Sequence, residues 1–226
     1  MRFVMDAFAW IGNPAHWSGA DGILTRIVQH LGYSALALVI AGLIAIPVGL
    51  YIGHTGRFRV LAVALLAGAR ALPSLGLLTL LAVFLGFGLS GIIVPATIAL
   101  VVLAIPPILA STYSGVEAIA PGIVDAARGC GHSEMQIVGT VEVPLAGPMI
   151  LGGIRSAAVQ LLASATIAAY PGLGGLGRYI LDGLPVRDYP KMLAGALLVI
   201  ALALLTDAAF GLAQRALTRR VRSATT

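Results

Sequence analysis

Charge is scarce in this chain. Only 10% of its 226 residues are Asp, Glu, Lys or Arg, against 59% that are hydrophobic, whereas a water-soluble domain carries about 25% charged residues. So few ionised groups cannot coat a soluble surface of this size, and a mean hydropathy of +0.99 points to a membrane-spanning protein. Cysteine is nearly missing. Cys130 stands alone, which excludes an intrachain disulfide, and without an arranged base it reads as a packing residue rather than a catalytic thiol. Aromatics make up 6%, so an aromatic cage for a cation is not expected within the spans. His16, His30, His54 and His132 are scattered without metal-ligand spacing. No nucleophile–base pair or carboxylate dyad stands out, so no enzyme chemistry is expected. The net charge of +5 comes from arginines near span ends, which read as topology signals and not as a nucleic-acid surface.

What is abundant is apolar sequence in runs of the right length. A membrane-crossing helix needs about 20 apolar residues. Residues 31–53 supply one, with Pro47 as a kink. Residues 58–88 contain Arg70 and Pro73, and read as one tilted, kinked span or as two shorter segments. Residues 92–113, with Pro106-Pro107 bending the later half, 144–169 and 192–212 follow. The expected fold class is an all-α membrane protein of about five transmembrane helices, six being the alternative. It forms one domain over 1–226, with an interfacial segment at 1–30, a core at 31–220 and a polar loop at 114–143. The N-terminus is not a clean signal peptide, because Asp6 and Gly12-Asn13-Pro14 interrupt it. Phe3, Val4, Ala7, Phe8, Trp10 and Ile11 give a partial helical stripe for the interface, the alternative being a mobile terminus. With five spans the termini lie on opposite sides. Arg57, Arg59, Arg128, Arg215, Arg219, Arg220 and Arg222 then share one side, and Arg2, Arg26, Arg178, Arg187 and Lys191 the other. The first side is expected to be cytoplasmic, with the N-terminus outside.

Residues 125–144 form a charged island between spans. Pro121 suits a helix start, Asp125 the positive end of a helix dipole, and Gly129 and Gly131 a helix end. Ile123, Val124, Ala126 and Ala127 make a small apolar face that fits a groove on another protein; the alternative is a connector packed on its own chain. Glu117, Glu134 and Glu142 are weaker polar contributors to such a contact. The island is similar to the cytoplasmic loop of ABC importer permeases, which reads Glu-Ala-Ala, three residues, Gly, nine residues, Ile-x-Leu-Pro. Asp125 stands for the Glu, Val141 for the Ile and Val143 for the Leu, with Gly131 and Pro144 in register. Residues 106–129, 70–75, 153–157 and 172–177 widen the resemblance to the osmoprotectant branch, which imports glycine betaine, choline, carnitine or proline betaine.

The resemblance implies a type I importer permease of the bacterial plasma membrane, paired with a second copy or a paralogue. It implies two ABC ATPase subunits docked at Pro121, Val124, Asp125, Ala126, Ala127, Arg128, Gly131 and Pro144. ATP and Mg would bind those subunits, no cofactor would bind this chain, and an extracytoplasmic solute-binding protein would deliver the solute. A same-fold importer for an amino acid such as methionine is one alternative. A secondary transporter, needing ion-coupling carboxylates in the spans, is another, and there Asp207 is the one candidate. The glycine run 172–177 is no phosphate loop, since Arg178-Tyr179 follows in place of Lys-Ser or Lys-Thr. It reads as a flexible external turn.

Ionisable residues inside spans are functional candidates by default. Arg70 precedes the kink at Pro73. Arg155 is expected to line a polar path or pair with a neighbouring span, and Asp207 to reach water or pair with Arg215. Ser156, Gln160 and Ser164 recur at i, i+4 and i+8 and share one helix face, as a pathway wall or as a hydrogen-bonded helix seam.

Overall fold

The computed structural model describes residues 2–85, 91, 93–170 and 172–224; the side chains of Arg70 and of residues 220–224 lie outside that description. The edges of the expected second and third spans, at 88 and 92, fall outside it as well. Among the described residues the regular elements are all helical. Four helical stretches are long and apolar enough to cross a membrane, and a bent pair makes a fifth.

The first long helix, α2 (Ile23–Thr55), follows an N-terminal helix, α1 (Arg2–Gly12). With 33 residues α2 is about 50 Å long, well over the roughly 30 Å hydrocarbon core. It begins eight residues before the hydropathy onset at 31, because its early polar side chains find partners inside the protein. His30 Nε2 lies 2.9 Å from the Leu162 carbonyl, and Gln29 Oε1 accepts from the Gly175 amide at 2.9 Å. The glycine run at 172–177 is therefore a packed clasp over α2 and not a free turn. The N-terminal segment is likewise a seated helix. Trp10 joins Ile23, Tyr179 and Val199 in one apolar cluster, and the Trp17 indole donates to the Ile11 carbonyl at 2.7 Å.

The stretch read as one kinked span or two shorter segments consists of two helices, α3 (Arg59–Ala71) and α4 (Ser74–Leu85), bent by 91° at the break. Pro73 is the cause: the residue before a proline is driven out of helical space, and Leu72 caps α3 with φ −69° and ψ 124°. The centre of the fold is α5 (Ile93–Glu117), sandwiched between α2 and α8 (Val143–Ser164). Small residues permit the approach. Ala37, Ala41 and Ala45 of α2 and Ala157 of α8 are fully buried around Ala104 and Ile108 of α5. A Cβ on Gly49 would sit 2.7 Å from that of Thr112, and one on Gly53 2.6 Å from that of Val116.

Between α5 and α8 lie α6 (Pro121–Gly129), α7 (Glu134–Ile137) and a π-turn at Val138–Glu142. The fourth span thus starts at Glu134, inside the stretch expected as loop. Ser133 and Gln136 form a capping box that starts it. After α9 (Gly177–Val186), α10 (Tyr189–Ala224) runs back along α8. Large apolar side chains such as Leu43, Val60, Phe84 and Leu205 point outward, more than 60% exposed, as a lipid-facing surface requires.

Candidate docking helix and translocation path

Helix α6 is a projection. None of its residues is buried, and Ile123 is 46% exposed. Pro121 occupies its first turn, as its fixed φ and missing N–H favour. Its end is a Schellman motif. The His132 amide donates to the Ala127 carbonyl at 3.2 Å, the Gly131 amide donates to the Arg128 carbonyl at 2.9 Å, and Gly131 takes φ +86°. Gly131 is therefore needed by the backbone of this chain itself, since an L side chain would be strained there. Val124, Asp125, Ala126, Ala127 and Arg128 lie on α6 and are exposed or half-buried. Pro144 does not join them; it stands in the first turn of α8. Cys130 caps α6 and is exposed, not packed.

A charged network ties α6 to the spans. The Arg128 guanidinium grips Glu134 through two bonds, Nε–Oε1 at 2.8 Å and Nη2–Oε2 at 3.0 Å, and reaches Asp125 Oδ1 at 3.2 Å. The bond to Glu134 is the main cause that raises the Arg128 proton affinity further above its ordinary value. Glu134 Oε2 lies 3.1 Å from His54 Nε2, and His54 Nδ1 lies 2.9 Å from Glu142 Oε1. Glu142 is 3% exposed, so it cannot add surface contacts for a partner. Sequence reasoning had no signal for His54, whose carboxylate partner is 88 residues away. The Ser-x-x-Gln capping box at 133–136 was the legible clue that a helix starts at Glu134.

Within the spans, Arg155 of α8 and Asp207 of α10 form a two-bond ion pair, Nε–Oδ1 and Nη2–Oδ2 both at 2.6 Å. Asp207 thus pairs with Arg155 and not with Arg215, because α10 turns it toward α8. Ser156 and Gln160 line a cavity of about 280 Å³ with Ala69, Leu103, Pro106 and Pro107. Ser164, on the same helix face, instead borders a tight apolar crevice with Leu78, Ala96 and Ala168. The stripe is split between an open volume and a packed seam. The two prolines lack N–H groups, so the Val102 and Leu103 carbonyls lose their usual helical donors beside that cavity.

Residues 45–223 match the family of binding-protein-dependent transport system inner membrane components. The chain belongs to that family. The permease is 34% identical over 189 residues to the carnitine transport permease protein OpuCB of Listeria monocytogenes, covering 84% of this chain and 85% of that one. It is 32% identical over 196 residues to the choline transport system permease protein OpuBB of Bacillus subtilis, covering 87% and 88%. To the osmoprotectant import permease protein OsmW of Salmonella typhimurium it is 36% identical over 185 residues, covering 79% and 84%. Its fold is similar to the solved inward-facing MetNI methionine ABC transporter, with a TM-score of 0.74 and 23% identity over 86% of this chain and 95% of that one. At that identity the likeness speaks for the fold alone, and the permease has the type I ABC importer fold.

Proposed function

We propose that the permease forms the translocation path of an ATP-driven importer for osmoprotectant quaternary amines, of the class of glycine betaine, choline, carnitine and proline betaine. The single observation that carries the coupling role is α6, a projecting helix with no buried residue that lies inside the stretch matching the family. The names of the relatives in Listeria, Bacillus and Salmonella support the solute class. ATP and Mg bind a separate ATPase subunit that seats on α6, and a soluble binding protein presents the solute at the opposite end. A second permease, identical or related, completes the path.

Packing and charge together support the orientation. The Gln214 amide donates to the Pro148 carbonyl at 2.9 Å, which sets the C-terminal part of α10 beside the start of α8, at the end that carries α6. That end also carries Arg57, Arg59 and Arg128, which supports its being the cytoplasmic end, with the N-terminus outside.

Ala126 is exposed on α6 and its backbone is ordinary helix, so it tests docking without the strain inherent at Gly131. Ala126→Trp is expected to weaken ATPase co-purification by roughly tenfold or more, about 1.4 kcal/mol, while the permease still reaches the membrane. Unchanged assembly would refute the docking role of α6.

Selection of the solute belongs to the binding protein. Gln160→Ala is then expected to lower uptake by a few-fold, on the scale of one lost hydrogen bond, and to do so equally for betaine, choline, carnitine and proline. A changed order of preference in competition uptake would show that α8 reads the solute directly.

A further inference from the structure

The network below α6 runs from exposed to buried over four residues. Arg128 and Glu134 have side chains 44% and 57% exposed, His54 13% and Glu142 4%. Arg128 belongs to the projecting helix, His54 to the last turn of α2, and Glu142 to the helical turn that leads into α8. The imidazole thus bridges two carboxylates, with one on each ring nitrogen. Nδ1 is hydrogen-bonded to Glu142 Oε1, and Nε2 faces Glu134 Oε2 at 3.1 Å, so both ring nitrogens are spent on this bridge. Glu142 Oε2 is buried with no hydrogen-bond partner among the described residues, so its tie to His54 is the polar contact that holds this carboxylate in place.

The π-turn is what brings the two glutamates to one histidine. Eight residues of α-helix leave positions 134 and 142 roughly 80° out of phase. The wider i→i+5 turn at Val138–Glu142, closed by the Val143 amide on the Val138 carbonyl, winds less per residue and takes up that difference. A π-turn interrupts regular α-helical hydrogen bonding, and such turns are frequent at functional sites.

We propose that His54 and Glu142 are positioning residues that transmit displacement of α6 to α2 and α8, through the chain Asp125–Arg128–Glu134–His54–Glu142. Given that α6 is the ATPase seat, its movement reaches the spans through charge-assisted side-chain bonds in addition to the short backbone connection at 130–133. These bonds act on the end of α2 and the start of α8, the two helices that enclose α5. The path wall, carried by α8 and α5, then moves with the ATPase. Loss of the bridge leaves docking intact and uncouples it.

The test uses the full importer, permease with its ATPase and binding protein, reconstituted in vesicles. His54→Gln keeps polarity but cannot place one ring nitrogen toward each carboxylate. It is expected to co-purify with the ATPase as the unaltered chain does, and to move about tenfold or more less solute per ATP hydrolysed, the scale of losing a charge-assisted hydrogen bond. His54→Arg, whose guanidinium has donors enough to reach both carboxylates, should recover most of the ratio. Glu142→Gln combined with His54→Gln should be no worse than either alone, since the two act as one unit. An unchanged solute-to-ATP ratio in His54→Gln, or equal loss in His54→Gln and His54→Arg, would overturn the proposal. So would loss of ATPase binding in His54→Gln, which would make His54 part of the seat. If Ala126→Trp leaves assembly unchanged, the docking reading itself falls, independently of the ratio measured for His54.

Discussion

Asp207→Ala is expected to reduce the monodisperse, detergent-extractable permease several-fold. The substitution leaves the Arg155 guanidinium in α8 without the two bonds at 2.6 Å that neutralise it. A lone cation within a span is costly, and the helix must tilt or admit water to meet it. Breaking one side of such a pair is worse than replacing both sides by apolar groups of similar size. The double variant Arg155→Leu with Asp207→Leu should therefore be recovered better than either single alanine variant. Fluorescence-detected size exclusion on all four proteins checks this. If the double variant is the worst of them, the pair supports stability through more than mutual neutralisation. If Asp207→Ala behaves as the unaltered protein, the pair is dispensable. The same pair weakens the idea of Asp207 as an ion-coupling carboxylate, since both of its oxygens are engaged.

Gly153→Val should be nearly as damaging, through packing alone. A Cβ at that position would sit 2.6 Å from the Ser111 Cβ and 2.9 Å from the Pro107 carbonyl oxygen. The second contact is backbone in the central helix and cannot rotate away. Forcing extra methyl groups into such a seam costs about 1–3 kcal/mol, and here α5 and α8 must separate to accept them. Because Pro106 and Pro107 also line the cavity with Ser156 and Gln160, uptake should fall further than thermal stability does. Gly68→Ala provides the comparison: nothing lies within 4 Å of a Cβ there, and its thermal midpoint should be close to that of the unaltered chain. A stable, active Gly153→Val protein would show that the α5–α8 contact is looser than the structure describes.

Much of the permease was legible without coordinates. The span count follows from apolar run length, which reports the solvent rather than the neighbours. The helix at 121–129 and its glycine end follow from Pro121 and Gly131, whose backbone preferences act within one turn. Span edges were less legible. At 31 the hydropathy begins, yet α2 starts at Ile23 because Gln29 and His30 are satisfied by Gly175 and Leu162, partners that lie far along the chain. At 143 the polar loop was expected to end, yet helix starts at Glu134, because a capping box can start a span before its apolar run. Pro73 marked a kink in the sequence; its 91° bend needed the packing of α4 on α5 to be set.

The amino-acid sequence by itself determined that this is a membrane protein, where its apolar spans run, and that a short polar helix lies between two of them, ending at its glycines. These signals are local or compositional, so they survive without knowledge of any neighbour. Only the tertiary structure decided that Arg155 meets Asp207, that His54 is held between Glu134 and Glu142, and that Ser156 and Gln160 open on a cavity while Ser164 does not. A helix that is apolar on nearly every face carries little record of which way it is rotated. Its rotation is set by close contacts such as Gly49 on Thr112 and Gly153 on Ser111, and only once those are made do the few polar side chains find each other.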